Sequence, residues 1–106
     1  MHIKIQLAAA FLMGATASAT MAQDAAATLH VRALAATCAN CHGTDGRTVD
    51  GSAIPSLVGM PKSYMVMQMK AFKDGSRPAT VMHQLSKGFT DQQIDSISTY
   101  FAATKR

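Results

Sequence analysis

The sequence contains no glutamate and no tryptophan. Its six acids are all aspartates, at positions 24, 45, 50, 74, 91 and 95, against ten lysines and arginines, giving a net charge of +4. No basic run exceeds the terminal pair Lys105-Arg106, and the cations are not interleaved with aromatics, which argues against nucleic-acid binding. The mild positive excess suits docking to an acidic protein surface or a membrane, the plain alternative being a solvated face. Cysteine is scarce too: Cys38 and Cys41 are the only two, and they stand three positions apart. A bridge between them would close a tiny loop and stabilise little, so there is no disulfide framework. No second cysteine pair exists to complete a structural zinc site. There is no internal repeat, no low-complexity tract and room for only one domain.

A membrane-spanning run is also missing. The apolar stretch from Ile5 to Ala15 falls short of the ~20 residues that cross a bilayer, so no stable insertion is expected. It follows the short basic start Met1-His2-Ile3-Lys4 and precedes the small-residue segments Ala17-Ser18-Ala19 and Thr20-Met21-Ala22. That order reads as a secretory signal peptide over residues 1–22, cleaved after Ala19 or Ala22. Removal would carry the remainder, residues 23–106, to the periplasm and lower the net charge by Lys4, to +3.

What is left is about 85 residues, a size at which a hydrophobic core alone is marginal. Its aromatic bulk is limited to Phe72, Phe89, Phe101, Tyr64 and Tyr100. Such a chain needs a staple, and disulfides do not supply it.

The segments that can be read are helical. Val31, Leu34, Ala35 and Cys38 follow the i, i+3, i+4, i+7 spacing of one apolar face, and Asp24 is placed to cap that helix. Gly43, Gly46 and Gly51 break the chain into a loop running through Ile54-Pro55-Ser56-Leu57-Val58-Gly59. Pro61 suits the first turn of a second helix, with Met65, Met69 and Phe72 on one face and Gly75 at its end. Thr90-Asp91-Gln92-Gln93 reads as a capping box opening a last helix whose buried face is Ile94, Ile97 and Phe101. Strand signals are nearly absent, and the fold class is small and all-α.

Cys38-Ala39-Asn40-Cys41-His42 carries the chemistry. Cys-x-x-Cys-His is the attachment pattern of haem c. Two thiols three residues apart on a helical turn can each add to one vinyl group of the same porphyrin. The next residue then lies under the ring, so the His42 imidazole can bind iron. A flat apolar macrocycle also supplies the missing core. A thioredoxin-like dithiol would need a preceding strand in a βαβ setting, which this sequence lacks.

A sixth iron ligand must come from downstream, among Met60, Met65, Met67, Met69, Met82 and His83. Methionine suits an electron carrier because it raises the reduction potential relative to a second histidine. Met65 and Met69 form a helical stripe that is more often core, and Met67 faces the other way. Met82, beyond Arg77-Pro78, is far enough along to wrap to the opposite face; His83 and Met60 stay open. The second nitrogen of His42 needs an acceptor. Pro55, with a free carbonyl and a stiff φ, is the best placed, unless it is only a turn residue.

Cys-Ala-Asn-Cys-His-Gly-Thr-Asp-Gly, Ile-Pro-Ser-Leu-Val-Gly, the stretch from Lys70 to Met82 ending Arg-Pro-Ala-Thr-Val-Met, and Lys-Gly-Phe-Thr-Asp-Gln-Gln-Ile together resemble class I cytochrome c. Within that class they are most similar to the cytochrome subunit of flavocytochrome c sulfide dehydrogenase, here in a monohaem form. The resemblance spans about Arg32 to Ala102. It implies His42 and Met82 as axial ligands, Pro55 as the acceptor for His42, and electron transfer from a flavoprotein sulfide dehydrogenase subunit. Such a protein is an electron carrier rather than an enzyme in its own right. Lys62, Lys70, Lys73, Arg77 and Lys87 are then expected to frame the haem edge and steer an acidic redox partner. Two other readings compete: a free periplasmic shuttle serving several partners, and a small zinc or thiol redox module.

Overall fold

The structure is a computed structural model that describes residues 2–105, with side chains from residue 19 onward. It comprises helices α1 (His2–Ala36), α2 (Ala39–His42), α3 (Lys62–Asp74), α4 (Met82–Leu85) and α5 (Asp91–Ala103), with 3-10 turns at Thr44–Gly46 and Ser86–Gly88. No strand occurs among the described residues, in keeping with the all-α reading. Two compact units are distinguished, one ending at His30 and the other beginning at Val31.

In the first unit the backbone is helical throughout its described length. Asp24 therefore does not start a helix: it lies inside α1, where its carbonyl accepts a hydrogen bond from Thr28 Oγ1 at 2.9 Å. Alanine on both sides of it propagates the helix, and neither glycine nor proline interrupts residues 15–36. The expected leader, residues 1–22, falls largely where side chains lie outside the described residues. Among the described residues, no helix is long and apolar enough to cross a membrane.

The second unit is organised around Phe101 and Ile94, both fully buried, with Ala35, Val58, Met65 and Ile97 almost so. Leu34, Cys38, Leu57, Met60, Phe89 and Tyr100 pack against the cluster of Ala35, Met65, Ile97 and Phe101. The helical periodicities thus point inward as expected: Ala35 from α1, Met65 from α3, and Ile94, Ile97 and Phe101 from α5. α3 packs against both α5 and α4.

Helix ends follow local chemistry. Pro61 precedes α3, and Gly75 closes it in the left-handed conformation at φ 84°. Arg77 N–H then reaches back to Ala71 C=O at 3.0 Å, satisfying a carbonyl the last turn leaves open. Thr90 and Gln93 make the full reciprocal capping box at the start of α5. Three ion pairs then tie α3 to α5: Lys62–Asp95 at 2.9 Å, Lys70–Asp91 at 3.4 Å and Lys73–Asp91 at 3.4 Å.

Candidate haem site

α1 stops at Ala36 because the chain turns sharply at Thr37 and Cys38. Thr37 N–H and Cys38 N–H bond to the carbonyls of Leu34 and Ala35, and Thr37 Oγ1 adds a 2.7 Å bond to Leu34 C=O. α2 is a separate single turn, closed by His42 N–H to Cys38 C=O at 2.9 Å. Both thiols and the imidazole thereby sit on one continuous turn, Cys38 half-buried against the core and Cys41 exposed. Burial pushes the Cys38 thiol above its ordinary pKa, a hydrogen bond with Thr37 working against this.

The turn leads into Gly43 at φ 80° and the 3-10 turn, where Asp45 itself adopts a left-handed conformation at φ 53°. Tyr100 Oη donates to Asp45 Oδ1 at 3.2 Å and fixes that turn on α5. Gly46 anchors the next part of the loop. Its carbonyl accepts from Leu57 N–H at 2.8 Å and from Ser56 Oγ at 3.0 Å, and Gly59 N–H bonds to Phe101 C=O at 2.9 Å. The returning limb of the loop is therefore pinned at three points immediately after Pro55.

With the loop so held, Pro55 C=O lies 2.7 Å from His42 Nδ1. A carbonyl has no proton to give, so Nδ1 is the donor. The neutral ring must then carry its lone pair on Nε2, the form in which an imidazole binds a metal.

The methionines separate by environment. Met65 is buried in the core, Met60 packs on it, and Met67 is 56% exposed on the far side of α3. Met69 lies 3.7 Å from Ser86 Oγ through its sulfur. Met82 opens α4 and is half-buried. The neighbouring His83 has its Nδ1 buried with no partner among the described residues. Gly46 breaks the chain as its glycine suggests, but its carbonyl's role, and Ser86 altogether, are not legible in the sequence. Gly46 sits in a Thr-Asp-Gly turn signal that gave no hint of its carbonyl's role, and a lone serine near a helix end carries no signal at all.

The cations expected to steer a partner are less available than their number suggests. Lys62, Lys70 and Lys73 answer the two carboxylates of Asp91 and Asp95, and Lys73 also donates to Phe89 C=O at 2.7 Å. Arg77 bonds to Gln68 and stacks its guanidinium 4.6 Å from the Phe72 ring centre.

The residues present fit a haem. A Cys-x-x-Cys-His turn carries a histidine fixed in the metal-binding tautomer. The apolar core is small for the chain, while Ile54, Tyr64, Met67, Val81 and Leu85 remain between 39% and 56% exposed on the segments downstream of the turn. A flat apolar ring is the kind of surface such residues can cover. An all-α chain with one such turn defines a haem-binding protein of the covalent, c-type class.

The chain belongs to the cytochrome c family, whose sequence model matches residues 30–105. It is 44% identical over 68 residues to the cytochrome subunit of sulfide dehydrogenase from Chlorobaculum tepidum, an alignment covering 64% of this chain and 60% of the relative. It is 36% identical over 102 residues to cytochrome c4 of Pseudomonas aeruginosa, covering 96% of this chain and 49% of the relative. It is 34% identical over 71 residues to the thiosulfate dehydrogenase electron acceptor of Thiomonas intermedia, covering 67% of this chain and 33% of the relative. The chain thus spans less than two thirds of the length of each. Family membership makes this an electron-transfer protein with covalent haem c, rather than an enzyme acting on its own or a zinc or thiol module.

Proposed function

We propose that this protein carries single electrons in the periplasm through one haem c joined to Cys38 and Cys41 and ligated by His42 and Met82. Leader removal near Ala22 would leave the domain from residue 23 onward. The observation that supports the reading is the 2.7 Å bond from His42 Nδ1 to Pro55 C=O, which leaves the lone pair of the neutral ring on Nε2, available to a metal.

When bound, the group supplies a one-electron couple at iron. The chain's own residues do the rest. Cys38 and Cys41 would tether the ring by thioether bonds, His42 would ligate the iron, and the pinned loop orients its imidazole through Pro55. We take Met82 as the sixth ligand, with His83 as the alternative: Met65 is buried in the core, Met60 packs against it, Met69 is packed on Ser86 and Met67 faces solvent. Side-chain ligation by both His42 and Met82 would leave no site for substrate at the iron and would favour outer-sphere electron transfer.

The donor is a flavoprotein sulfide dehydrogenase subunit, supported by the 44% identity to the cytochrome subunit of such an enzyme. A free shuttle is the second reading, favoured by the alignment of 96% of the chain with cytochrome c4, whose name designates no enzyme. Two measurements test these statements. A ferric spectrum with the weak far-red band of thioether-sulfur ligation, lost in Met82→Ala, supports the ligand set; a band surviving that change overturns it. Gel filtration from the native source separates the partners: co-elution with a yellow flavoprotein supports the subunit, and a lone small haem protein supports the shuttle.

A further inference from the structure

α4 is one turn of four residues, too short to hold itself in water. Met82 is its first residue, so the direction of that side chain depends on whatever keeps the turn closed. At its start, Val81 C=O accepts from Gln84 N–H at 3.0 Å and from Leu85 N–H at 3.1 Å. At its end, Met82 C=O accepts from both donors of Ser86, the backbone N–H and the hydroxyl, the latter at 2.6 Å.

Ser86 is 0% exposed, so its hydroxyl has no water to fall back on. The same oxygen stands 3.7 Å from Met69 Sδ on α3. A hydroxyl has one proton, and the short carbonyl contact takes it. The sulfur contact is then packing that fixes the serine against α3. Ser86 thus joins the backbone of Met82 to a long, well-anchored helix. The 3-10 turn that begins at Ser86 continues the clamp, with Phe89 N–H on Ser86 C=O at 3.3 Å and Lys73 holding Phe89 C=O.

We infer that Ser86 is a positioning residue for the sixth ligand, its buried hydroxyl fixing the Met82 backbone so that the thioether is presented to iron in one orientation. The inference rests on Met82 being that ligand. Without the hydroxyl, Met82 C=O keeps its backbone donor, so the turn survives but loosens. The iron–sulfur bond then competes less well against an added ligand.

The test is an imidazole titration of the ferric haem-bearing protein, followed by loss of the far-red band. Ser86→Ala should bind imidazole about fivefold more tightly than the unaltered protein, the factor that corresponds to one hydrogen bond of about 1 kcal/mol. Ser86→Thr, which keeps the hydroxyl, should return most of the way. Ile97→Val removes one methylene from the core far along α5, and should destabilise the fold without tightening imidazole binding. An unchanged imidazole affinity in Ser86→Ala overturns the inference. So does an equal effect in Ile97→Val, which would mark a general loss of stability. The ligand assignment fails separately, if the band persists in Met82→Ala whatever Ser86→Ala does.

Discussion

Gly46 and Phe101 approach each other so closely that a methyl group at Gly46 would lie 2.6 Å from Phe101 Cε1, with the glycine at φ 75°. The 3-10 turn that follows the haem motif rests at Gly46 on the fully buried ring of the last helix, and from there the Gly46 carbonyl captures Ser56 and Leu57. Gly46→Ala should therefore cost about 3 kcal/mol or more, since a left-handed backbone position and overpacking combine. Denaturant unfolding of the haem-bearing protein would show it, and an unchanged midpoint would mean that Phe101 yields.

The methionines should divide cleanly on mutation. Met65→Ala is expected to lose about 2–5 kcal/mol of stability as a buried core truncation while keeping the far-red band. Met82→Ala should abolish the band and lower the reduction potential, with a smaller effect on unfolding. Paired spectra and denaturation curves check both, and a band lost in Met65→Ala instead would exchange the roles.

Pro55→Ala keeps the carbonyl that His42 uses but frees the backbone around it. A stability loss of about 0.4–1 kcal/mol is expected from the more flexible unfolded chain. The axial histidine resonances of the paramagnetic protein should broaden or shift as its orientation loosens. Identical resonances would show that Ser56, Leu57 and Gly59 hold the loop unaided.

Asp91 has its carboxyl held below the usual carboxylate range by hydrogen bonds and charge from Lys73 and Lys70. Its folded pKa is depressed, so the contribution is fully present above the ordinary value of 3.8 and disappears as pH falls through the lower folded value. Stability should decline on acidification below about pH 4, and Asp91→Asn should flatten that part of the curve. Because the carboxylate is exposed, added salt should shrink the difference between the two proteins. A parallel decline in both would assign the acid sensitivity elsewhere.

Thr90→Ala removes the oxygen that accepts Gln93 N–H and should cost about 1 kcal/mol. Thermal unfolding monitored by helical circular dichroism measures it.

The sequence made the helical faces, the caps at Gly75 and Thr90, and the haem motif legible because each rests on a local rule: a periodicity, a spacing or a residue pair. The acceptor at Pro55 could be read for a related reason, since a ligating imidazole demands a partner and few loop carbonyls are free. Asp24 does not cap a helix here because strong helix formers on both sides carry α1 straight through it. The pairing of Lys62, Lys70 and Lys73 with Asp91 and Asp95 is not legible because the partners come from another helix, and no local rule reports it. The contacts of Gly46 and of Ser86 are hidden for the same reason. Their importance lies in which distant atom their polar groups meet, and that is decided only by packing.

The partner of His42 is a main-chain oxygen, and this changes how the site can vary. No single substitution can delete that acceptor, so the bond is buffered against mutation at position 55. What can change is its length and angle, through every residue that shapes the path from Gly46 to Gly59. On the ligation proposed above, the loop would act as a continuous dial on the electron-donating strength of the imidazole, and variation within it would retune the iron while leaving every ligand in place.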